Sequence, residues 1–396
     1  MTAARPARFD VTRLRLRNFK SIARCDLTLG PLSLLVGPNG SGKSNVLDAL
    51  RLTADALSSN LEHALRERGG VEQVRRKSSG HPNHFRIDLT VVGPDFGGTY
   101  GFEVGATRGD FRVTREDLHL QRSGLGTEDL FVSVRDGAVV KSSPGLGMLP
   151  KVVDDRLLLV TLSGHELVRP LYDGLSAMQV FNLSPDVMKQ PQTPDVGERL
   201  HRSGANVASV LERLARDDAA AKSRVVDYLR SIVPGIEDVE RVPLGSWESF
   251  AARQLVQGQA HPWTFPAGSL SDGTVRSLGV LVALFAAVGA SASTIGIEEP
   301  ETALHPAAVA TLMDALRDAS ERRQVLVTSH SADLLDAAKL RPDELIAVRA
   351  HHGTTTVGAL DAGGRLAMRE HLYGAGDLLR TDQLQPEAGA QFQLTW

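Results

Sequence analysis

Two spacings of apolar residues alternate along the chain. Leu34, Leu35 and Val36 form a short apolar run, and Val46, Leu47 and Leu50 follow at helical spacing, which predicts a buried strand leading into a helix. HFRIDLTVVG from His84, TYGFEVGA from Thr99 and FRVTREDLHLQ from Phe111 alternate with period two and predict antiparallel strands. Val207, Val210, Leu211 and Leu214 lie on one helical face, and a second helix through RVVDYLRSIVPG runs until Pro234 stops it. A long apolar helix opens at Ser271. A further helix from about Pro306 to Ala319 separates two short apolar strands, one ending at Glu298 and Glu299, the other passing through Val325 and Val327 to Ser329 and His330. DELIAVRA and TTTVGAL predict two last strands. Pro and Gly mark residues 142–150 and 183–197 as surface loops. The pattern predicts an α/β fold in which residues 1–61 and 269–396 build one lobe and residues 62–268 form a β-rich and helical insertion.

With 396 residues the chain has room for two lobes and a sizeable core. Nothing in it is apolar enough for long enough to cross a bilayer. Arg5, Arg8, Arg13, Arg15 and Arg17 precede no signal-peptide core, so a cytoplasmic protein with no membrane partner is expected. Cys25 is the single cysteine, which excludes a disulfide framework or a CxxC zinc clasp within one chain. His81, His84, His351 and His352 lack metal-ligand spacing. A net charge of −3 is silent about nucleic acid, because the basic runs ARPARFDVTRLRLRNFKSIAR and RERGGVEQVRRK are either local tracks for DNA or solvated edges. No heptad pattern persists, so a long coiled coil is not expected.

Chemistry enters between the first strand and its helix. Gly37 to Ser44, GPNGSGKS, fits the phosphate-binding loop G-x-x-x-x-G-K-[ST], with the strand before and the helix after that the motif requires. Gly37, Gly40 and Gly42 allow backbone N–H groups to turn inward around phosphate oxygens at a positive helix end, in a loop that also carries Pro38, Asn39, Ser41 and, just beyond it, Asn45. Lys43 is expected to reach the β- and γ-phosphates of ATP, and Ser44 to give a hydroxyl to Mg²⁺. Downstream, TIGIEEPE is a Walker B pattern: Glu298 is placed for the Mg²⁺ shell, and Glu299 beside the γ-phosphate, where it can polarise water. His330, at the tip of a further strand, has the address of a γ-phosphate sensor. Ser271 can cap its helix and Gly273 permits close approach of a phosphate, which makes a second anion-ready helix end.

Phosphate loop, LSDGT, IEEPE and TSHS stand in the order of ABC-type ATPases, and with LRLRNFKSI and IEEPETALHP the chain most closely resembles the RecF, SMC and OLD branch of that group, which serves DNA maintenance and phage defence. The resemblance covers residues 11–60 and 262–340 and is weaker between them; the overall layout looks like small stand-alone bacterial ATPases of this branch. It implies that Ser271 and Gly273 bind the γ-phosphate held by a second protomer, so that a homodimer sandwiches two ATP molecules. Glu298 stands where the family has an Asp, His305 where transporter ATPases carry an Asp, and Gln73 is the candidate for the family's Q-loop glutamine. The tail after His330 looks too short for the TOPRIM nuclease domain of OLD proteins. Two functions follow from this: an Mg²⁺-dependent ATPase acting on DNA or a DNA-processing partner, or a nucleotide-controlled scaffold or sensor for a separately encoded effector, a nuclease or a toxin.

Overall fold

The computed structural model describes residues 8–78, 80, 82–107, 110–122, 129–149, 152–153, 155–286, 294–337 and 340–387; Arg5, His81 and Pro150 lie outside them. The chain begins with β1 (Asp10–Phe19), β2 (Ile22–Thr28) and β3 (Leu32–Val36), then α1 (Lys43–Ser58) and the short α2 (Leu61–Arg66) and α3 (Val71–Val74). Five strands follow, β4 (His84–Val92), β5 (Phe96–Thr107), β6 (Asp110–Arg122), β7 (Leu130–Arg135) and β8 (Ala138–Ser142). Next come α4 (Leu158–Leu162), α5 (Arg169–Ser176), β9 (Gln179–Phe181), α6 (Pro185–Met188), α7 (Val207–Asp217) and α8 (Ala219–Ile232). β10 (Ile236–Leu244), β11 (Trp247–Gln254) and β12 (Trp263–Pro266) lead into α9 (Asp272–Phe285). The last part holds β13 (Ile295–Glu298), α10 (Pro306–Ser320), β14 (Val325–Ser329), α11 (Ala332–Ala337), β15 (Leu345–His351), β16 (Thr354–Ala359), α12 (Ala362–Arg369) and α13 (Ala375–Arg380).

Thirteen strands share one sheet in the order β8-β7-β6-β5-β4-β1-β2-β16-β15-β3-β14-β13-β9, and β10 to β12 form a separate three-stranded sheet. From β15 to β9 the neighbours are all parallel. Beyond β2 the sheet turns antiparallel, and β4, by pairing with β1 in the register Leu14↔Leu89 and Leu16↔Ile87, joins the β4–β8 wing to the β1–β2 hairpin, which β16 and β15 connect to β3, the strand that precedes the phosphate loop. The wing therefore continues the nucleotide-lobe sheet instead of standing apart from it.

Why the central strands read as unbroken apolar runs is visible in their two faces. On β3, β14 and β15, Leu35, Leu326, Ile346 and Val348 enter the core shared with α1 and the wing, while Leu34, Val36, Val325, Val327, Leu345 and Ala347 enter a second core under α7 to α11. Parallel strands covered by helices on both sides have no solvent face to make polar. Residues 183–197, expected as a surface loop, differ from that reading: they contain α6, and Met188 and Gln192 are buried. Gln192 tolerates burial because its side chain donates to the Met188 carbonyl at 2.9 Å and accepts from the Ala208 N–H at 3.0 Å.

Candidate nucleotide site

The loop from Gly37 to Ser44 joins β3 to α1, with Gly40 at φ 74° and Gly42, the residue capping α1, at φ 96°, both in the left-handed region that favours glycine. Lys43 is buried, and its ammonium donates to the carbonyls of Gly37 and Pro38 at 2.9 and 3.1 Å, folding back over the loop where phosphate would lie. Burial pulls its pKa below the ordinary lysine value, and the charges of Glu299 and Glu301 pull it back up. Pro38, Asn39 and Ser44 are exposed; Ser41 is buried, with an unpartnered hydroxyl. Asn45 donates to the Ser21 hydroxyl at 2.7 Å, at the β1–β2 turn. Thr355 of β16 donates to the Ser41 carbonyl at 2.8 Å and meets the Ser21 hydroxyl at 2.7 Å. Ser21 and Thr355 thus brace the loop from strands that sequence reasoning did not connect with it.

β13 lies two places from β3, with β14 between them, so the paired carboxylates and His330 reach the same end of the parallel sheet as the phosphate loop. Glu299 leaves the strand at φ 46°, a conformation that costs a residue with a side chain on the order of 1 kcal/mol or more and turns the chain sharply. Its N–H donates to the Thr328 carbonyl at 3.0 Å, and its carboxylate lies 3.1 Å from Nδ1 of His330. Glu301, which the sequence reading left without a role, is buried and accepts from the Ser329 hydroxyl at 2.6 Å; its other oxygen has no partner. Burial raises its pKa above the usual carboxylate value, with the Ser329 hydrogen bond acting against that. Glu298 ends β13 opposite Thr328, and its carboxylate pairs with Arg202 at 2.8 Å.

Arg276 ties α9 to this end of the sheet. From α9 its guanidinium donates to the carbonyls of Leu183, Glu298 and Glu299 at 2.6, 3.1 and 2.9 Å, and burial lowers its pKa while Glu301, Glu299 and Glu298 raise it. The available signal was an arginine inside an otherwise apolar helix, since a buried cation needs acceptors. Ser271 caps α9 by accepting from the Thr274 N–H at 3.1 Å. Gly273 packs so tightly on the loop after β13 that a Cβ there would stand 2.5 Å from the Ala303 carbonyl oxygen. Among the described residues no hydrogen bond or ion pair joins Ser271 or Gly273 to the phosphate loop of the same chain. His305 caps α10, its Nδ1 accepting from the Ala307 N–H at 3.2 Å. Gln73 lies on α3, away from β13, and accepts from Lys77 at 2.8 Å.

Among the described residues no group of three or more His, Cys, Asp or Glu could hold a metal ion. Ser44 and Glu298 carry oxygen donors of the type Mg²⁺ takes, an ion that needs few protein oxygens beside phosphate and water. No helix among the described residues is long and apolar enough to cross a membrane.

A phosphate loop, a carboxylate-tipped strand and a histidine-tipped strand on one parallel sheet, extended by an antiparallel wing, define an ABC-type P-loop ATPase of the RecF, SMC and OLD kind. The chain belongs to the family described as AAA domain, putative AbiEii toxin, Type IV TA system, whose profile matches residues 32–336. Among characterised proteins it is 23% identical to the OLD nuclease of Thermus scotoductus over 361 residues, 84% of this chain and 61% of that protein. It is 36% identical over 115 residues to structural maintenance of chromosomes protein 4 of Schizosaccharomyces pombe, covering 27% of this chain and 8% of that protein. A 50-residue match to the DNA replication and repair protein RecF of Magnetococcus marinus is 51% identical and covers 12% of this chain and 13% of RecF. The chain thus spans less than two thirds of each of these relatives. In fold it is similar to an Smc head bound to the C-winged helix domain of ScpA, with TM-score 0.56 and 13% identity over 90% of this chain and 99% of that one.

Proposed function

We propose that the chain is an Mg²⁺-dependent ATP hydrolase that closes as a homodimer on ATP and couples closure to DNA maintenance or anti-phage defence. The observation that carries this reading is the 3.1 Å contact between Glu299 and His330 at the sheet end that also bears Lys43. Lys43 would hold the β- and γ-phosphates, exchanging its two loop carbonyls for phosphate oxygens. Mg²⁺, held by Ser44 and Glu298, would polarise the phosphate oxygens as a Lewis acid. Glu299 accepts a hydrogen bond from the attacking water and orients it, and His330, donating from Nδ1, keeps that carboxylate in place.

The second protomer enters through Ser271 and Gly273, whose helix end makes no bond to its own phosphate loop among the described residues. The OLD nuclease and RecF relatives support a DNA-linked process, and the Smc head's contact with ScpA supports a protein partner. The second reading is a nucleotide-controlled scaffold or sensor for a separate effector, and the Smc head's bound partner is its support; the family description names a putative toxin and does not itself point to a separate one.

Calorimetry with ATP and Mg²⁺ tests the site: Lys43→Ala is expected to abolish tight binding, and unchanged affinity would sink the assignment. Glu299→Gln is expected to keep binding, lose hydrolysis and accumulate dimers in gel filtration, since a ligand favouring the dimer shifts association. Ser271→Arg protein should bind ATP as a monomer without turnover, and mixing it with Lys43→Ala protein should restore part of the hydrolysis through one intact shared site. Full activity of monomeric Ser271→Arg protein rules out the shared site. Salt-dependent DNA binding separates the DNA-acting reading from ATP-dependent capture of a protein partner.

A further inference from the structure

Arg202 belongs to none of the motifs, yet its Nη2 stands 2.8 Å from Oε1 of Glu298. The backbone that carries it is braced. Asn182 donates to the Arg202 carbonyl at 3.0 Å and Ser184 to the Ser203 carbonyl at 3.1 Å, so residues 202–203 run beside the end of β9, next to β13. Gly204 closes the following turn at φ 82°, with Met188 so near that a Cβ would lie 2.6 Å from its Cγ. Asn206 Oδ1 accepts from the His201 N–H at 2.8 Å. The side chain, 43% exposed, keeps room to move, whereas that of Glu298 is only 14% exposed.

Glu298 is consequently gripped at two points: Arg276 takes its carbonyl and Arg202 its carboxylate. Of these two cations only Arg202 bonds to the carboxylate itself, since Arg276 donates to the backbone carbonyl. A guanidinium and a divalent cation seek the same oxygens, and both cannot take them with full geometry.

Resting on the nucleotide-site reading above, we infer that Arg202 is a positioning residue that competes with a divalent cation for the Glu298 carboxylate and so sets the metal concentration at which the site fills. A partly exposed ion pair is a modest competitor, so its removal should change metal affinity by roughly two- to fivefold. Shortening the arm with Glu298→Asp weakens both contacts of that carboxylate and does not separate them; substitution of Arg202 does.

The test uses the full chain, a fluorescent non-hydrolysable ATP analogue and Mn²⁺ as the probe cation. Analogue binding is first measured in chelator, then Mn²⁺ is titrated at saturating analogue and followed by its paramagnetic resonance signal. Arg202→Ala is expected to tighten Mn²⁺ binding by roughly two- to fivefold and leave the analogue's affinity in chelator unchanged, with Arg202→Lys lying between it and the wild type. Unchanged or weaker Mn²⁺ binding in Arg202→Ala protein that still takes up the analogue overturns the inference while sparing the nucleotide site. Wild-type protein that fails to bind the analogue, with or without Mn²⁺, removes the nucleotide-site reading and this inference with it.

Discussion

Gly37 has no room for a side chain, because a Cβ there would stand 2.0 Å from the carbonyl oxygen of Val348, midway along the neighbouring β15 and just past its pairing with β3. The first glycine of the loop thus serves the sheet as well as the ligand. Gly37→Ala is expected to destabilise the fold by about 1–3 kcal/mol through overpacking and to weaken ATP binding, both checked by thermal melting with and without nucleotide. At this scale the sequence was most legible where spacing alone defines a motif, as at Gly40, Gly42 and Lys43. It was least legible where a residue acts through a partner distant in sequence: Thr355 on Ser41, Ser329 on Glu301, and Arg202 on Glu298. A lone serine, threonine or exposed arginine carries no periodic signal, so only the folded chain reveals its partner.

The helix α9 shows how one element serves two neighbours. Its cap at Ser271 fixes the start, Gly273 lets it touch the loop after β13, and Arg276 one turn on donates to three carbonyls, sharing that of Glu299 with the Thr302 N–H. Arg276→Ala should leave those carbonyls without their charged donor and cost about 1.5–3 kcal/mol, measurable as a lowered urea midpoint with an unchanged slope. Element existence followed well from apolar spacing: the helix expected from about Pro306 to Ala319 spans Pro306–Ser320, and the three wing segments quoted from sequence become β4, β5 and β6. Residues 183–197 were harder, since Pro and Gly announce turns but not whether a turn is packed, and here Met188 and Gln192 pack it inward.

Across the molecule the antiparallel wing is joined to the helical layer by one buried acid. Glu116 of β6 accepts from the N–H groups of Leu158 and Leu159 at 2.6 and 2.9 Å and from the Tyr100 hydroxyl at 2.9 Å. Burial pushes its pKa up to about 7, against the pull of those three donors. The folded protein therefore holds a proton that the unfolded chain releases from about pH 4.5, so this contribution to stability is full on the acid side and is lost as pH rises to about 7. Glu116→Gln is expected to flatten that decline, and urea titrations at about pH 5 and pH 7.5 check it: a wild-type minus variant difference that does not fall with pH would contradict the assignment. The α/β class was legible from the alternation of buried strands and amphipathic helices. The union of the wing with the phosphate-loop sheet was not, because it depends on β1 pairing with β4 across the whole of α1 to α3.

The position of β3 between β14 and β15 also dictates an order of events during synthesis. The phosphate loop emerges from the ribosome early, but the strands that flank β3 are residues 325–351, so its hydrogen-bonding edges stay open until nearly the whole chain has been made. Such long-range pairing folds slowly and leaves an apolar strand edge exposed to aggregation meanwhile. Nascent chains halted before residue 325 should therefore not retain ATP, however complete their phosphate loop, and should depend on chaperones that cover the waiting edge.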